Sequence, residues 1–415
     1  MCRRTAHDSH TMSTTEARER TINLGAGPSM LPTSVLLEAS KGIVDYEGTG
    51  MGVTELSHRS STFKKLLSQA EADLRTLLDI PQEYAVLFLQ GGGTEQFSAT
   101  LLNLLALYAS KNRGRATPPP VDYVLTGTWS NKAVKEAHRL TSRVNVVCDI
   151  RPTIQDPSAS IPAPETWKLS SLDDAPAMLY YCDNETIDGF EMPMDFIQRL
   201  PKEYRERVPI VADCSSNILS RPIDVRAHSL IFFGAQKNIG PSGTTIVIVR
   251  RDLVVDPDAV EASYLMPLPT TLVYKHYMDN DSLYNTPPMF PIYISSLVFK
   301  KLLDDGGIKA AQERAETKSK MVYDALEAYP TVYKPTVAHA HTRSHMNLTF
   351  RILDKNTGSP SEEAEAQFVA LCAEHHILQV KGHRSVGGIR TSLYNAVTIE
   401  QAQCLVDVLH KFASA

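Results

Sequence analysis

Lys237 stands between two apolar, β-prone segments and is the residue in this chain most suited to covalent chemistry. Residues 229–233 predict a buried strand, and the turn at 240–243 leads into a second predicted strand over 244–249. An unpaired ammonium group is costly to bury, and burial lowers the pKa of the amine. Such an amine is suited to form a Schiff base, although a lysine at a solvated strand end would show the same pattern.

Other predicted strands also end in polar or aromatic side chains. Asp213 follows the apolar run 208–212, and a carboxylate in that position needs a charged or hydrogen-bonding partner. Trp129 follows the run 122–125, where it is placed either to contact a ligand or to pack in the core.

A triple glycine lies between a predicted strand and a predicted helix. The strand covers 84–89, the sequence Gly-Gly-Gly-Thr-Glu follows at 91–95, and the helix continues to about Tyr108. Glycines let the backbone approach an anion, and the amides of a helix N-terminus face it. Neither the Walker motif nor the dinucleotide motif is present, so neither a nucleoside triphosphate nor a dinucleotide is indicated. A glycine-rich turn of this kind can also serve packing alone.

The elements that carry these residues alternate between strand and helix from 84 to 250, which predicts a mostly parallel, doubly wound sheet. The carboxyl ends of parallel strands share one edge, where α/β proteins bind ligands. A phosphate cradle at 91–94, the ring of Trp129, the carboxylate of Asp213 and the amine of Lys237 would meet there. Together they match the requirements of pyridoxal 5′-phosphate, which needs each of these four groups.

Length and composition set the limits of this interpretation. The chain has 415 residues, a formal net charge of −5, 43% hydrophobic and 21% charged residues, which is typical of a globular protein with two domains. The charge gives no indication of binding to nucleic acid or to a membrane surface, and no apolar run is long enough to span a bilayer. Six scattered cysteines without a Cys-x-x-Cys pair indicate free thiols in a reducing compartment, the cytoplasm.

The remaining segments predict the domain organisation. Residues 1–20 contain four arginines without an apolar stretch and are expected to be a disordered tail, with a short transit peptide as the alternative. Residues 33–308 are expected to form a large cofactor-binding domain. Residues 309–415, together with 21–32, are expected to form a smaller C-terminal α+β domain.

At the level of motifs, the sequence resembles the phosphoserine aminotransferases, which belong to the class V aminotransferases and to the aspartate-aminotransferase-like, fold type I pyridoxal-phosphate enzymes. The resemblance extends from about 22 to 413. The matching runs are Gly-Ala-Gly-Pro-Ser-Met-Leu-Pro (25–32), Ser-His-Arg (57–59), Gly-Gly-Gly (91–93), Asn-Glu-Thr-Ile-Asp-Gly (184–189), Ile-Leu-Ser-Arg-Pro-Ile-Asp-Val (218–225), Gly-Ala-Gln-Lys-Asn-Ile-Gly-Pro (234–241), Asn-Thr-Pro-Pro (285–288), Lys-Gly-His-Arg (381–384) and Gly-Gly-Ile-Arg (387–390).

This resemblance implies a role for each matching residue. Lys237 would form the Schiff base, Asp213 would keep the pyridine nitrogen protonated, and Trp129 would stack on the ring. The further cofactor contacts would come from Gly93, Thr94, Thr186 and Gln236 of the same chain and from Asn285 and Thr286 of the partner subunit. The active sites would therefore be shared within a homodimer.

The resemblance also implies the substrates. Arg390 would bind the α-carboxylate, while His58, Arg59, His383 and Arg384 would bind a distal phosphate or carboxylate. The expected reaction is ping-pong transamination of O-phospho-L-serine and 2-oxoglutarate to 3-phosphohydroxypyruvate and L-glutamate, in L-serine biosynthesis. No metal is expected.

Two alternatives remain, and one residue departs from the family pattern. A related class V transaminase could act on alanine or serine with glyoxylate, although its uncharged substrate side chains would not need the basic cluster. A catalytically silent homologue would bind only the cofactor or a partner. Many bacterial members carry an arginine after the three glycines, whereas this chain has Thr94 and then Glu95, which is expected to point along the helix N-terminus.

Overall fold

The computed structural model describes residues 14–156 and 161–415. The helices in these ranges are α1 (Thr14–Arg20), α2 (Thr33–Val44), α3 (Ser61–Leu78), α4 (Gly92–Lys111), α5 (Thr128–Leu140), α6 (Phe196–Arg199), α7 (Lys202–Arg207), α8 (Tyr274–Asp279), α9 (Met289–Asp304), α10 (Gly307–Glu327), α11 (Glu362–Glu374) and α12 (Ile399–Ser414). None of the helices described is both long enough and apolar enough to cross a membrane.

The strands vary from two to six residues in length. They are β1 (Ile22–Asn23), β2 (Tyr84–Leu89), β3 (Val121–Leu125), β4 (Val144–Asp149), β5 (Leu179–Cys182), β6 (Asn184–Glu185), β7 (Phe190–Glu191), β8 (Ile210–Asp213), β9 (Leu230–Gly234), β10 (Thr245–Arg250), β11 (Tyr333–Pro335), β12 (Asn347–Ile352), β13 (Ile377–Leu378) and β14 (Ile389–Ser392).

A seven-stranded sheet in the order β2-β10-β9-β8-β5-β3-β4 forms the centre of the fold. Strand β10 runs antiparallel to both of its neighbours, and the other strands are parallel. Alternate residues of β2 enter different cores: Val86 and Phe88 pack in one, Leu87 and Leu89 in the other. A strand that is buried on both faces reads as one apolar run. The predicted α/β fold with a mostly parallel sheet is confirmed.

The helices that cover the sheet follow from their apolar patterns. Ser60 caps α3 by accepting a hydrogen bond from the Phe63 amide at 3.2 Å, and the apolar stripe of α3 is buried. Helix α4 is buried around most of its circumference and packs with α5 on the opposite face of the sheet. Both α4 and α5 begin where a strand of the sheet has just ended, so their N-termini lie at its carboxyl edge.

A second, three-stranded antiparallel sheet in the order β11-β12-β14 packs with α10, α11 and α12. Strand β1 pairs in parallel with β13, and Ile22, Leu24 and Met30 enter the same core as these helices. The strands and helices of this part are the elements that a smaller α+β domain would contain. The boundaries at 32 and 308 stay a prediction.

The N-terminal prediction is corrected in part. Residues 1–13 of the expected tail lie outside the described residues, whereas the last seven form α1. Glu16 in the first turn and Arg18 and Arg20 in the last turn suit the helix dipole. The guanidinium of Arg18 also donates to the Leu31 carbonyl at 2.8 Å, which attaches the helix to the rest of the fold.

Lys318 on α10 is buried and ties that helix to the turn after β14. Its Nζ donates to the carbonyls of Leu393, Tyr394 and Val397 at 2.9, 2.8 and 2.8 Å. Burial lowers the pKa of Lys318, but three carbonyl acceptors require three N–H donors and therefore favour the protonated amine.

We predict that Lys318→Met destabilises the protein by about 2–4 kcal/mol, because methionine fills the space but leaves three buried carbonyls without a donor. Lys320→Met is the matched control: Lys320 lies on the same helix, is exposed and forms a salt bridge with Asp324. Urea denaturation followed by circular dichroism measures both. Equal stabilities for the two variants would show that the three hydrogen bonds contribute nothing.

Candidate active site

The carboxyl ends of β3, β5, β8 and β9 surround a cavity of about 230 Å³ at one edge of the large sheet. The predicted site residues that line it are Gly93, Thr94, Trp129, Thr186, Asp213, Gln236, Lys237, His383 and Arg390. Residues that lie far apart in the sequence therefore meet in one cavity, because the parallel strands that carry them end at the same edge of the sheet.

Lys237 presents its amine to this cavity. Its Nζ donates to the Thr186 hydroxyl at 2.7 Å and lies 5.1 Å from the centroid of the Trp129 ring. Burial lowers the pKa of Lys237, while the nearby Asp213 carboxylate opposes that shift. The backbone carbonyl of Lys237 accepts a hydrogen bond from the Ser29 hydroxyl, so the Gly/Pro segment near the N-terminus fixes the lysine in place.

Asp213 is buried at the end of β8. Its Oδ1 accepts hydrogen bonds from the Ser215 amide at 3.0 Å and from the Ser215 hydroxyl at 2.6 Å. Burial raises the pKa of Asp213, and Lys237 and Ser215 oppose the shift. The carboxylate is therefore oriented through one oxygen, within a site where a cationic partner would stabilise its charge.

The triple glycine forms the predicted turn from strand to helix. Gly91 and Gly92 have φ values of 88° and 71°, in the left-handed region that glycine adopts without strain. The Gly92 amide donates to Thr245 at 2.8 Å, and Gly93 lines the cavity just inside the start of α4. The carboxylate of Glu95 folds back against Gly91, at the helix N-terminus where an acid is favoured.

Two acids from a neighbouring hairpin bind the N-terminus of α5. Glu185 accepts from the Trp129 amide at 2.8 Å, and Asp188 accepts from the Thr128 amide at 2.7 Å. These bonds satisfy the first free amides of the helix, which begins at Thr128. Burial and the charge of Asp188 raise the pKa of Glu185, although the amide donors oppose that shift.

One guanidinium fixes both ends of the hairpin formed by β6 and β7. Arg221 donates to Asp183 before the hairpin at 2.8 Å and lies 3.1 Å from Glu191 at its end. It also donates to the Met192 carbonyl at 2.9 Å. Burial disfavours the charge of Glu191, but Arg221 and His345 outweigh that effect and lower the pKa of Glu191 to about 2.

Besides Lys237, the basic residues of the cavity come from the smaller sheet and the segment before it. Arg390 on β14 donates to the Thr186 carbonyl at 3.4 Å, and burial lowers its pKa. The Nδ1 atom of His383 lies 2.7 Å from the hydroxyl oxygen of Ser385. Burial lowers the pKa of His383, and neighbouring cations, Arg390 first among them, lower it further.

Five predicted residues do not line this cavity in the single chain: His58, Arg59, Arg384, Asn285 and Thr286. Arg59 and Arg384 are exposed, and His58 is half-buried in the loop before α3.

Thr286 lies near the carboxyl end of β2, where its carbonyl accepts from the Gln90 side chain at 3.0 Å. For Asn285 and Thr286 this agrees with the expectation that they serve a partner subunit's site, which stays a prediction.

Several residues of the cavity wall were not among the predicted site residues. Ala26, Gly27, Phe97, Ile187 and Ser215 all contribute to the lining. Ala26 and Gly27 belong to the Gly/Pro run at 25–32, and its irregular composition was a signal that the backbone approaches something closely.

Over 14–156 and 161–415, no group of three or more His, Cys, Asp or Glu side chains is arranged to hold a metal ion.

Comparisons with known proteins agree on one family. The family model described as "Aminotransferase class-V" matches residues 21–405. A putative phosphoserine aminotransferase from Schizosaccharomyces pombe is 41% identical over 96% of this chain and 99% of its own length. The phosphoserine aminotransferase structure from Bacillus circulans subsp. alkalophilus has 38% identity and a TM-score of 0.82, covering 95% of this chain and 99% of that one. The PLP-bound phosphoserine aminotransferase structure from Trichomonas vaginalis has 35% identity and a TM-score of 0.78, covering 94% and 99%.

The ion network around Glu191 predicts a pH-dependent contribution to stability. Because the folded-state pKa of Glu191 lies near 2, below its ordinary value of 4.5, the stabilisation is present above pH 4.5 and is lost as the pH falls towards 2. We expect Glu191→Gln to be about 3 kcal/mol less stable than the wild type at pH 7. That difference should shrink as the pH falls from about 4.5.

Urea denaturation at a series of pH values measures this difference. Glu206→Gln is the control, since Glu206 is exposed and lies 3.8 Å from Lys202. A difference between wild type and Glu191→Gln that stays constant from pH 7 to pH 3 would contradict the pKa of Glu191.

Proposed function

The chain belongs to the class-V aminotransferase family, and we propose that it is a phosphoserine transaminase, which converts O-phospho-L-serine and 2-oxoglutarate into 3-phosphohydroxypyruvate and L-glutamate in L-serine biosynthesis. The observation that carries the proposal is the meeting of Lys237, Asp213 and Trp129 with Arg390 and His383 in one cavity.

The residues present fit pyridoxal 5′-phosphate. The start of α4 offers amides to a phosphate, the buried Asp213 suits a protonated pyridine nitrogen, and the ring of Trp129 lies beside the amine of Lys237. Gln236 and Thr186 line the same space and would add polar contacts. When bound, this cofactor supplies an aldehyde that condenses with amines and a ring that withdraws electrons.

We assign the proton-transfer role to Lys237. Because burial lowers its pKa, a larger share of the amine is neutral near pH 7 than in a solvated lysine. A neutral amine accepts the proton from Cα of the amino-acid substrate as a general base. The hydroxyl of Thr186, 2.7 Å from Nζ, orients the amine towards the cavity.

The substrate would be held by its two anionic ends. Arg390 has the planar, bidentate guanidinium that suits the α-carboxylate. The distal phosphate would be bound by the cluster of His58, Arg59, His383 and Arg384. Because both half-reactions of a ping-pong transaminase use one site, the same cluster must also accept the γ-carboxylate of glutamate.

A homodimer would complete the site. His58, Arg59, Asn285 and Thr286 do not line the cavity of their own chain, so a second copy of the chain is the source we propose for them. The described cysteines, four buried and one exposed, are all free, which supports a reducing compartment such as the cytoplasm.

The first prediction concerns substrate choice in a single half-reaction. In cofactor-loaded protein, O-phospho-L-serine and L-glutamate should each transfer their amino group, because each presents two anions to the basic residues. L-alanine and L-serine should react roughly a hundredfold or more slowly, because they leave the distal cluster unpaired. Stopped-flow absorbance of the cofactor and release of the keto acid measure the rates.

The outcomes separate the competing functions. Fast reaction of alanine or serine would replace the substrate assignment with that of a glyoxylate-type transaminase. Cofactor binding without any amino transfer would identify a catalytically silent homologue.

The second prediction concerns shared sites. Lys237→Ala and Asn285→Ala should each be nearly inactive alone, but a mixture refolded together should regain about a quarter of wild-type activity, since half the dimers are mixed and each has one intact site. Mixing Lys237→Ala with Asp213→Asn is the control and should regain nothing, because both residues serve the same chain's site. Equal recovery in both mixtures would contradict the assignment of Asn285 to the partner's site.

A further inference from the structure

Lys132, on the first turns of α5, holds its ammonium group against the wall of the active-site cavity. Its Nζ lies 4.0 Å from the centroid of the Trp129 ring, at a distance typical of a cation–π contact. The two residues are three positions apart on the helix and therefore share one face. Trp129 is one of the residues that line the cavity. Lys132 is itself exposed and does not line it, but its charge lowers the pKa of His383, which does.

The charge of Lys132 is not neutralised within the helix. Glu136 lies four residues further on, where an ion pair would be expected. Instead Glu136 accepts from the Ser98 hydroxyl at 2.8 Å and from the Arg139 guanidinium at 2.5 Å. Among the described residues, Lys132 forms no salt bridge with a carboxylate, whereas Lys320 on α10 pairs with the aspartate four residues on.

The cavity itself supplies few permanent positive charges for a distal phosphate. Arg390 is assigned to the α-carboxylate, and Lys237 to proton transfer. The pKa of His383 is lowered by burial, by Arg390, by Lys132 and by Arg384, with Asp188 opposing them, so its surroundings favour the neutral imidazole. Thr94, which follows the three glycines at 91–93, carries no charge.

Resting on the proposed function, we propose that Lys132 is a further substrate-specificity residue, whose ammonium group binds the distal phosphate of O-phospho-L-serine from the Trp129 side of the cavity. A phosphate carries more charge than a carboxylate and forms stronger bonds with a cation. Lys132 therefore favours the phosphorylated substrate over glutamate and contributes nothing to an amino acid without a distal anion.

The test compares Lys132→Gln with Lys132→Arg and with a matched control, Lys135→Gln, in cofactor-loaded protein. Lys135 is exposed and lies one turn further along α5. We expect Lys132→Gln to raise the apparent Kd for O-phospho-L-serine in the half-reaction about tenfold and that for L-glutamate by a smaller factor. The slow reaction of L-alanine should not change. Lys132→Arg and Lys135→Gln should stay within about twofold of the wild type.

A second readout does not depend on the reaction of O-phospho-L-serine. Inorganic phosphate should compete with L-glutamate for the cofactor-loaded wild type, and Lys132→Gln should weaken this inhibition about tenfold while Lys135→Gln leaves it unchanged. Raising the salt concentration should reduce the difference between wild type and Lys132→Gln.

Each contrary result has a distinct meaning. An equal loss with phosphoserine, glutamate and alanine would overturn the proposal, because Lys132 would then act by positioning the Trp129 ring. Unchanged phosphoserine and phosphate affinities in Lys132→Gln would also overturn it. If wild-type protein failed to react with phosphoserine at all, the proposed function itself would be wrong, whatever the variants do.

Discussion

The constraint on which this structure depends is the burial of one amine at the edge of a sheet. Lys237 must stay accessible to a ligand yet lose enough water for its pKa to fall. The seven-stranded sheet allows both access and burial. Its strand ends lie over the buried core of the domain, while the cavity above them leaves room for a ligand. Thr186 and Asp213 then limit the cost of burial, one by accepting a hydrogen bond and the other by its charge.

A second layer of buried charge supports the first. The hairpin of β6 and β7 supplies Thr186 to Lys237 and Glu185 to the start of α5, and so connects the amine with the ring of Trp129. Arg221 fixes this hairpin at both ends. Buried ion pairs contribute less to net stability than their Coulomb energy suggests. Here their clear effect is to define one position for a segment that carries several site residues.

The sequence predicts the sheet and the polar residues at its strand ends, because apolar runs and the residues that follow them are local features. It did not predict the start of α5 at Thr128, since the acceptor for that helix, Glu185, lies in a distant segment. The role of Arg221 was missed for the same reason: its partners are set by the tertiary fold. The role predicted for His58 and Arg59 stays a prediction, because neither residue lines the cavity of its own chain.

Arg390 and Lys237 belong to different sheets. The guanidinium is carried by β14 of the three-stranded sheet, while the amine follows β9 of the seven-stranded sheet. The distance between them is therefore set by packing between two separate cores rather than by either sheet alone. A substitution remote from the cavity that tilts one sheet against the other would change which substrate lengths fit, so selection for new substrates can act through residues that never touch a ligand.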